Sequence, residues 1–140
     1  MLDLIIKNGS CYIDKDLKNQ DIAVKDGKIV EIGKIIGEAK EVFDAKNLTV
    51  LPGCIDTQTH FREPGSTDTE DLHSGSRAAI AGGITGVFEM PNTNPPTSNK
   101  LEFQKKLDLA KNRMYCNYAF YFGATADNGN ELANIKSLEG

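Results

Sequence analysis

The sequence has no apolar run approaching the roughly 20 residues that cross a bilayer, so a membrane-spanning role is not expected. It has no Lys/Arg cluster and carries a net charge of −4 with a pI near 5.2. That balance argues against nucleic acid as a partner. Met1-Leu2-Asp3-Leu4-Ile5-Ile6-Lys7 lacks the basic segment, apolar core and cleavage site of a secretory signal. Cysteine is scarce. Cys11, Cys54 and Cys116 are odd in number and fit neither a zinc spacing nor a disulfide framework. They read as small buried hydrophobes in a protein of the reducing cytoplasm. Internal repeats and low-complexity stretches are also missing.

What is present is a change of rhythm near Pro52-Gly53. Residues 1–52 read as short strands. Ile22-Ala23-Val24-Lys25 and Lys28-Ile29-Val30-Glu31-Ile32 flank Asp26-Gly27, a strong hairpin signal. Further strands are expected at 2–7, 41–44 and 49–51, giving a small antiparallel β module. From Cys54 the pattern becomes strand–helix, three times over. A buried-type strand covers 54–59. A helix begins near Asp68, with Thr67 and Glu70 at capping-box spacing, and stops at Gly82-Gly83. Ile84–Met90 is the next strand. Ser98 is placed to cap a second helix whose Phe103, Leu107, Ala110 and Met114 form one stripe. Residues 115–122 form an apolar third strand, and 131–138 start a third helix.

Such βα repetition predicts an α/β fold with a parallel sheet, either doubly wound or a (β/α)₈ barrel. Both place their sites at the carboxyl ends of strands. A closed barrel takes about 250 residues, so residues 53–140 are expected to be the front end of something larger.

The chemistry concentrates in Asp56-Thr57-Gln58-Thr59-His60-Phe61-Arg62-Glu63-Pro64-Gly65. Strand residues two apart share a face, so Gln58, His60 and Arg62 are expected to point together. His60 is the leading metal candidate, and the alternative is a hydrogen-bonding histidine without metal. Gln58 offers only a neutral amide oxygen, a weak zinc ligand. Asp56 reads as an orienting carboxylate behind the strand, or as a simple strand-end hydrogen bonder. Arg62 is able to grip a carboxylate through two parallel hydrogen bonds, or to pair with Glu63 or an acid of the next helix. Asn92 sits in a Pro-bracketed loop, where its role is either ligand binding or turn formation. His73 reads as a helix-surface residue. The aromatics Tyr115, Tyr118, Phe120, Tyr121 and Phe122 read as barrel core.

Taken together, Leu51-Pro52-Gly53-Cys54-Ile55-Asp56, His60-Phe61-Arg62-Glu63-Pro64-Gly65, Ser74-Gly75-Ser76-Arg77-Ala78-Ala79 and Met90-Pro91-Asn92-Thr93-Asn94-Pro95 resemble the long dihydroorotases, cyclic amidohydrolases of the amidohydrolase superfamily. The resemblance also takes in the segments around Asp3–Gly9 and Asp26–Ile29. It implies a zinc enzyme interconverting N-carbamoyl-L-aspartate and dihydroorotate, with one or two Zn²⁺ ions activating water. By position His60 would be a zinc ligand, with Gln58 where a second histidine usually stands. Arg62 and Asn92, beside His60, would hold the substrate carboxylate. Residues 1–52 would form the N-terminal part of a flanking β-sandwich domain, and 53–140 the first three βα units of the barrel. The catalytic residue would lie beyond residue 140. Allantoinases and hydantoinases share the Asp-x-His-x-His frame and make the alternative enzyme reading. A non-catalytic scaffold for aspartate transcarbamoylase is the other alternative, and in the parent a homo-oligomer or that transferase would be the protein partner.

Overall fold

The computed structural model describes residues 1–133. The chain divides into two compact units at Pro52/Gly53.

In the first unit, β1 (Leu2–Lys7) is central to a four-stranded sheet of order β5-β4-β1-β6. It pairs antiparallel with β4 (Asp21–Lys25), Leu4 opposite Val24, and parallel with β6 (Ala39–Asp44), Ile5 opposite Val42. β4 turns into β5 (Lys28–Gly33) through Asp26 and Gly27, whose φ values of 51° and 71° are those of a type I′ hairpin turn. A second sheet, β3-β2-β7, comprises β2 (Ser10–Ile13), β3 (Asp16–Asn19) and β7 (Thr49–Val50). Both sheets contain one parallel pair, β1/β6 and β2/β7, so the module is mixed rather than antiparallel throughout. The β2–β3 hairpin was not anticipated. Its turn is Asp14-Lys15, at φ 52° and 68°, which reaches the left-handed region without glycine and so leaves no turn signal in the sequence. Ile5, Ala23 and Ile35 form this unit's core.

The second unit is a parallel sheet of order β10-β9-β8 with helices between the strands. β8 (Cys54–Thr59) pairs with β9 (Ile84–Glu89), and β9 pairs with β10 (Asn117–Phe120). Thr59, Glu89 and Phe120 lie in register, so the three strands end level. α1 (Leu72–Ala81) begins later than the sequence suggested. Its cap is Asp71, whose carboxylate accepts the Ser74 amide at 2.6 Å while the Ser74 hydroxyl accepts the Asp71 amide at 3.1 Å. That reciprocal pair replaces Thr67/Glu70, because residues 66–70 are already folded into a turn on the Ser66 carbonyl. Gly82 closes the helix, and Gly83 follows at φ 85°. α2 (Lys100–Ala110) is capped by Asn99 instead of Ser98, its side-chain oxygen accepting the Glu102 amide at 2.9 Å. α3 (Gly129–Ala133) starts before Glu131, and the remainder of the expected helix lies outside the described residues.

Phe61, Leu72, Val87, Phe103, Ala110, Cys116 and Phe120 make the core between sheet and helices. Each fully buried side chain of the Leu or Val kind stabilises the fold by about 1.5–3 kcal/mol. Among the described residues β8 is the outer strand of its sheet and not a covered one, with Ile55 62% exposed. Nor are all the aromatics core, since Tyr115 and Tyr121 are exposed while Phe120 is buried. The three cysteines are free, but Cys54 is exposed rather than buried, again because β8 is that outer strand. No described helix is long and apolar enough to cross a membrane.

Candidate functional site

Because the strands end level, the loops after β8 and β9 start side by side. The Met90 amide donates to the Thr59 carbonyl at 2.9 Å, and the Asn94 amide to the Pro64 carbonyl at 3.0 Å. Gly65, at φ 121°, lies where a Cβ would sit 2.8 Å from the Asn94 Cβ, so only glycine allows this approach. The loop after β10 is joined on the other side. The Gly123 amide donates to the Thr97 carbonyl at 2.8 Å, and the buried Asn128 amide group donates to Ser98 and Gly123 carbonyls at 2.7 and 2.8 Å.

His60 and Asn92 meet across the first seam, with 2.9 Å between Nδ1 and Oδ1. A carboxamide oxygen only accepts, so Nδ1 is the donor in this contact, and in the neutral imidazole the lone pair is then on Nε2. This tautomer leaves Nε2 able to coordinate an ion or accept a proton. A histidine whose other nitrogen donates to an oxygen is the usual arrangement for a metal ligand.

The other candidates are placed differently from the simple strand argument. Register slips between Asp56 and Thr59, and β8 ends before His60, so two-residue alternation does not carry through to Arg62. Instead the chain makes a tight turn at Phe61–Glu63, closed by the Glu63 amide donating to the Phe61 carbonyl. Arg62 adopts φ 26° there. A non-glycine residue held in this region costs about 1–3 kcal/mol, so surrounding contacts have to fix it. Arg62 is exposed and has no ion-pair partner among the described residues. Glu63 does not neutralise it, because Glu63 is buried and pairs with Arg113. Gln58 is exposed, and its backbone amide donates to Asp56 Oδ1 at 2.9 Å. Asp56 is thus a hydrogen bonder to its own strand. His73 is exposed on α1, edge-on to Tyr115 with ring centroids 5.0 Å apart.

Sequence reasoning missed the buried polar layer behind these loops. Glu89, 1% exposed, holds the Phe61 amide with both oxygens at 3.0 Å and the Thr59 hydroxyl at 2.9 Å. Lys106, equally buried, lies 3.6 Å from Glu89, donates to the Met90 carbonyl at 3.2 Å and sits 5.1 Å from the Phe120 ring centre. Burial pushes the Lys106 ammonium below its ordinary pKa, and Glu89 only partly opposes this. The available signal was weak: a lysine on the apolar stripe side of α2, and a glutamate ending an otherwise apolar strand.

Protein zinc sites take three or four nitrogen, sulfur or carboxylate donors. Among the described residues no three His, Cys, Asp or Glu are grouped to hold an ion. His60 with the Gln58 amide does not make such a site, so these residues do not by themselves fit zinc.

The model of the amidohydrolase family matches residues 49–137. An allantoinase of Escherichia coli O1:K1 is 44% identical over 137 residues, which are 97% of this chain and 30% of that protein. The L-hydantoinase (dihydropyrimidinase) of Arthrobacter aurescens superposes with a TM-score of 0.88 at 31% identity, over 97% of this chain and 31% of that one. A D-hydantoinase superposes at 0.81 with 33% identity, over 100% of this chain and 32% of that one. The chain thus spans about a third of the length of the proteins it matches.

Proposed function

This chain belongs to the amidohydrolase family, and on that premise we propose that it is the N-terminal part of a hydrolase that opens cyclic amides. Residues 1–52 are then the beginning of a flanking β domain, and 53–140 the first βα units of a (β/α)₈ barrel. The observation that carries the reading is the 2.9 Å His60–Asn92 hydrogen bond, which joins two loops at the carboxyl ends of a parallel sheet. Similarity to an allantoinase and to hydantoinases favours a hydantoin-like ring over dihydroorotate, the substrate first suggested by the loop motifs.

Dihydroorotate stays as the second reading for one reason: Arg62 is a solvent-facing guanidinium free of acids among the described residues. A neutral hydantoin ring has no need of it, whereas a substrate carboxylate has. In either reading Asn92 binds and orients substrate, while His60, with Nδ1 engaged by Asn92, would offer Nε2 either to the substrate or to a zinc ion, with Gln58 a weak second donor. Other donors and the catalytic base then come from sequence outside these 140 residues. Nothing supports a scaffold for aspartate transcarbamoylase. A cytoplasmic location rests on the free cysteines alone.

The test is ring opening by the full-length protein offered allantoin, hydantoin and dihydroorotate separately. Turnover of allantoin or hydantoin supports the first reading, and turnover of dihydroorotate alone the second. Hydrolysis of none of them refutes both.

A further inference from the structure

We propose that Lys106 and Arg113 are positioning residues that clamp the backbone on either side of Arg62, through Glu89 and Glu63, and so present the Arg62 guanidinium to an anionic group of the substrate. The proposal rests on the second of the two readings above, a ring that carries a carboxylate, and extends it to residues far from the loops in sequence.

Both clamps come from one stretch of chain, α2 and the turn after it. On one side, Glu89 takes the Phe61 amide between its two oxygens, and Lys106 faces Glu89 while gripping the Met90 carbonyl. On the other side, Arg113 forms a two-pronged pair with Glu63, Nη1–Oε1 at 2.8 Å and Nη2–Oε2 at 3.1 Å. Glu63 also accepts the Leu72 amide at 2.9 Å, tying the loop to the first residue of α1. Arg113 is braced in turn by the Leu109 carbonyl at 3.0 Å and by Asp71 at 3.5 Å. Phe61 and Glu63 are therefore fixed, and Arg62 between them is left in the left-handed region, facing solvent. Both nearby glutamates are buried and engaged with other cations, so neither is free to quench Arg62. Two anchored acids bracketing a base with no ion-pair partner among the described residues form an arrangement preorganised for an anion.

The test uses the full-length protein with Arg113→Met, and Arg113→Lys as the variant that keeps the charge but loses the fork. Backbone amide exchange in residues 60–66 is expected to quicken about tenfold or more, while β9 keeps wild-type protection. KM for dihydroorotate is expected to rise about tenfold, with KM for hydantoin and both kcat values held within about twofold. Arg113→Lys should show the same pattern, smaller, and carries the test if Arg113→Met does not fold. Unchanged exchange in 60–66, exchange rising equally in β9, or KM rising equally for both substrates would overturn the clamp. Turnover of hydantoin without dihydroorotate would overturn the anion-presenting half while leaving the cyclic-amide reading intact. Failure to open any ring would overturn that reading, and exchange would still decide the clamp.

Discussion

Replacing Glu89 with glutamine keeps the side chain's shape and an oxygen for the Phe61 amide, but removes the negative charge. Lys106, 1% exposed, then holds a buried ammonium that faces only neutral groups, the Met90 carbonyl, the Phe120 ring and the new carboxamide. Removing one partner of a buried ion pair typically costs about 3–5 kcal/mol. An upper bound follows from the lysine's alternative of losing its proton. At pH 7 that costs about 4.6 kcal/mol from an ordinary pKa of about 10.4, at about 1.36 kcal/mol per unit. Glu89→Gln should therefore destabilise the full-length protein by about 3–4.6 kcal/mol at neutral pH. The pH dependence has a definite sign. The folded Lys106 has a pKa below its unfolded value, so the unfolded chain binds more protons in alkali and stability attributable to this group rises with pH. In the variant that depression is deeper, so the gap from wild type should narrow as pH climbs from about 7 toward 10. Thermal and urea unfolding across this range, with the double variant Glu89→Gln/Lys106→Met, measure it. The double variant should recover most of the loss, because an apolar side chain replaces the stranded charge. A cost under about 1 kcal/mol at pH 7, or a gap that widens with pH, would refute the reasoning.

Gly75→Ala is a second case in which two effects compete. Alanine in a helix normally gains about 0.5–1 kcal/mol over glycine, but here its Cβ would lie 2.6 Å from the Phe61 ring. Overpacking of that kind costs about 1–3 kcal/mol, so unfolding experiments should show net destabilisation. Gly65→Ala combines a φ of 121° with a clash against Asn94, and should separate the two loops and lower kcat/KM, read by steady-state kinetics. Asp71→Asn should keep α1 capped, since Asn and Asp cap comparably. Hydrogen bonds from the Ser74 amide and hydroxyl hold the Asp71 carboxyl below its usual pKa, so its stabilisation is present above about pH 3.8 and fades as pH falls through the folded value. The variant's melting temperature should accordingly fall less steeply than wild type's on the acid side.

What the sequence revealed follows the reach of its signals. The Asp26-Gly27 turn and the Gly82-Gly83 stop are local, and both stand where expected because glycine is the residue that tolerates positive φ. Asp14-Lys15 makes an equally sharp turn with residues that carry no such mark. The sequence suggested Thr67/Glu70 as the cap, and the fold uses Asp71/Ser74 instead, because residues 66–70 are occupied in a turn. At the site, His60 and Asn92 were legible as residue types at strand ends, and they meet. The strand-alternation argument for Arg62 failed because the strand ends at Thr59. The clamps were invisible, since Arg113 and Glu63 are 50 residues apart and nothing local pairs them.

Loss of ring-opening activity on replacing His60 with alanine in the full-length protein tests the central claim most directly. If His60, held by Asn92 with its Nε2 free, is a working part of the site, kcat/KM should fall by at least about 100-fold on whichever cyclic amide the wild type opens. A variant that folds normally and keeps turnover within about threefold of wild type would contradict the account.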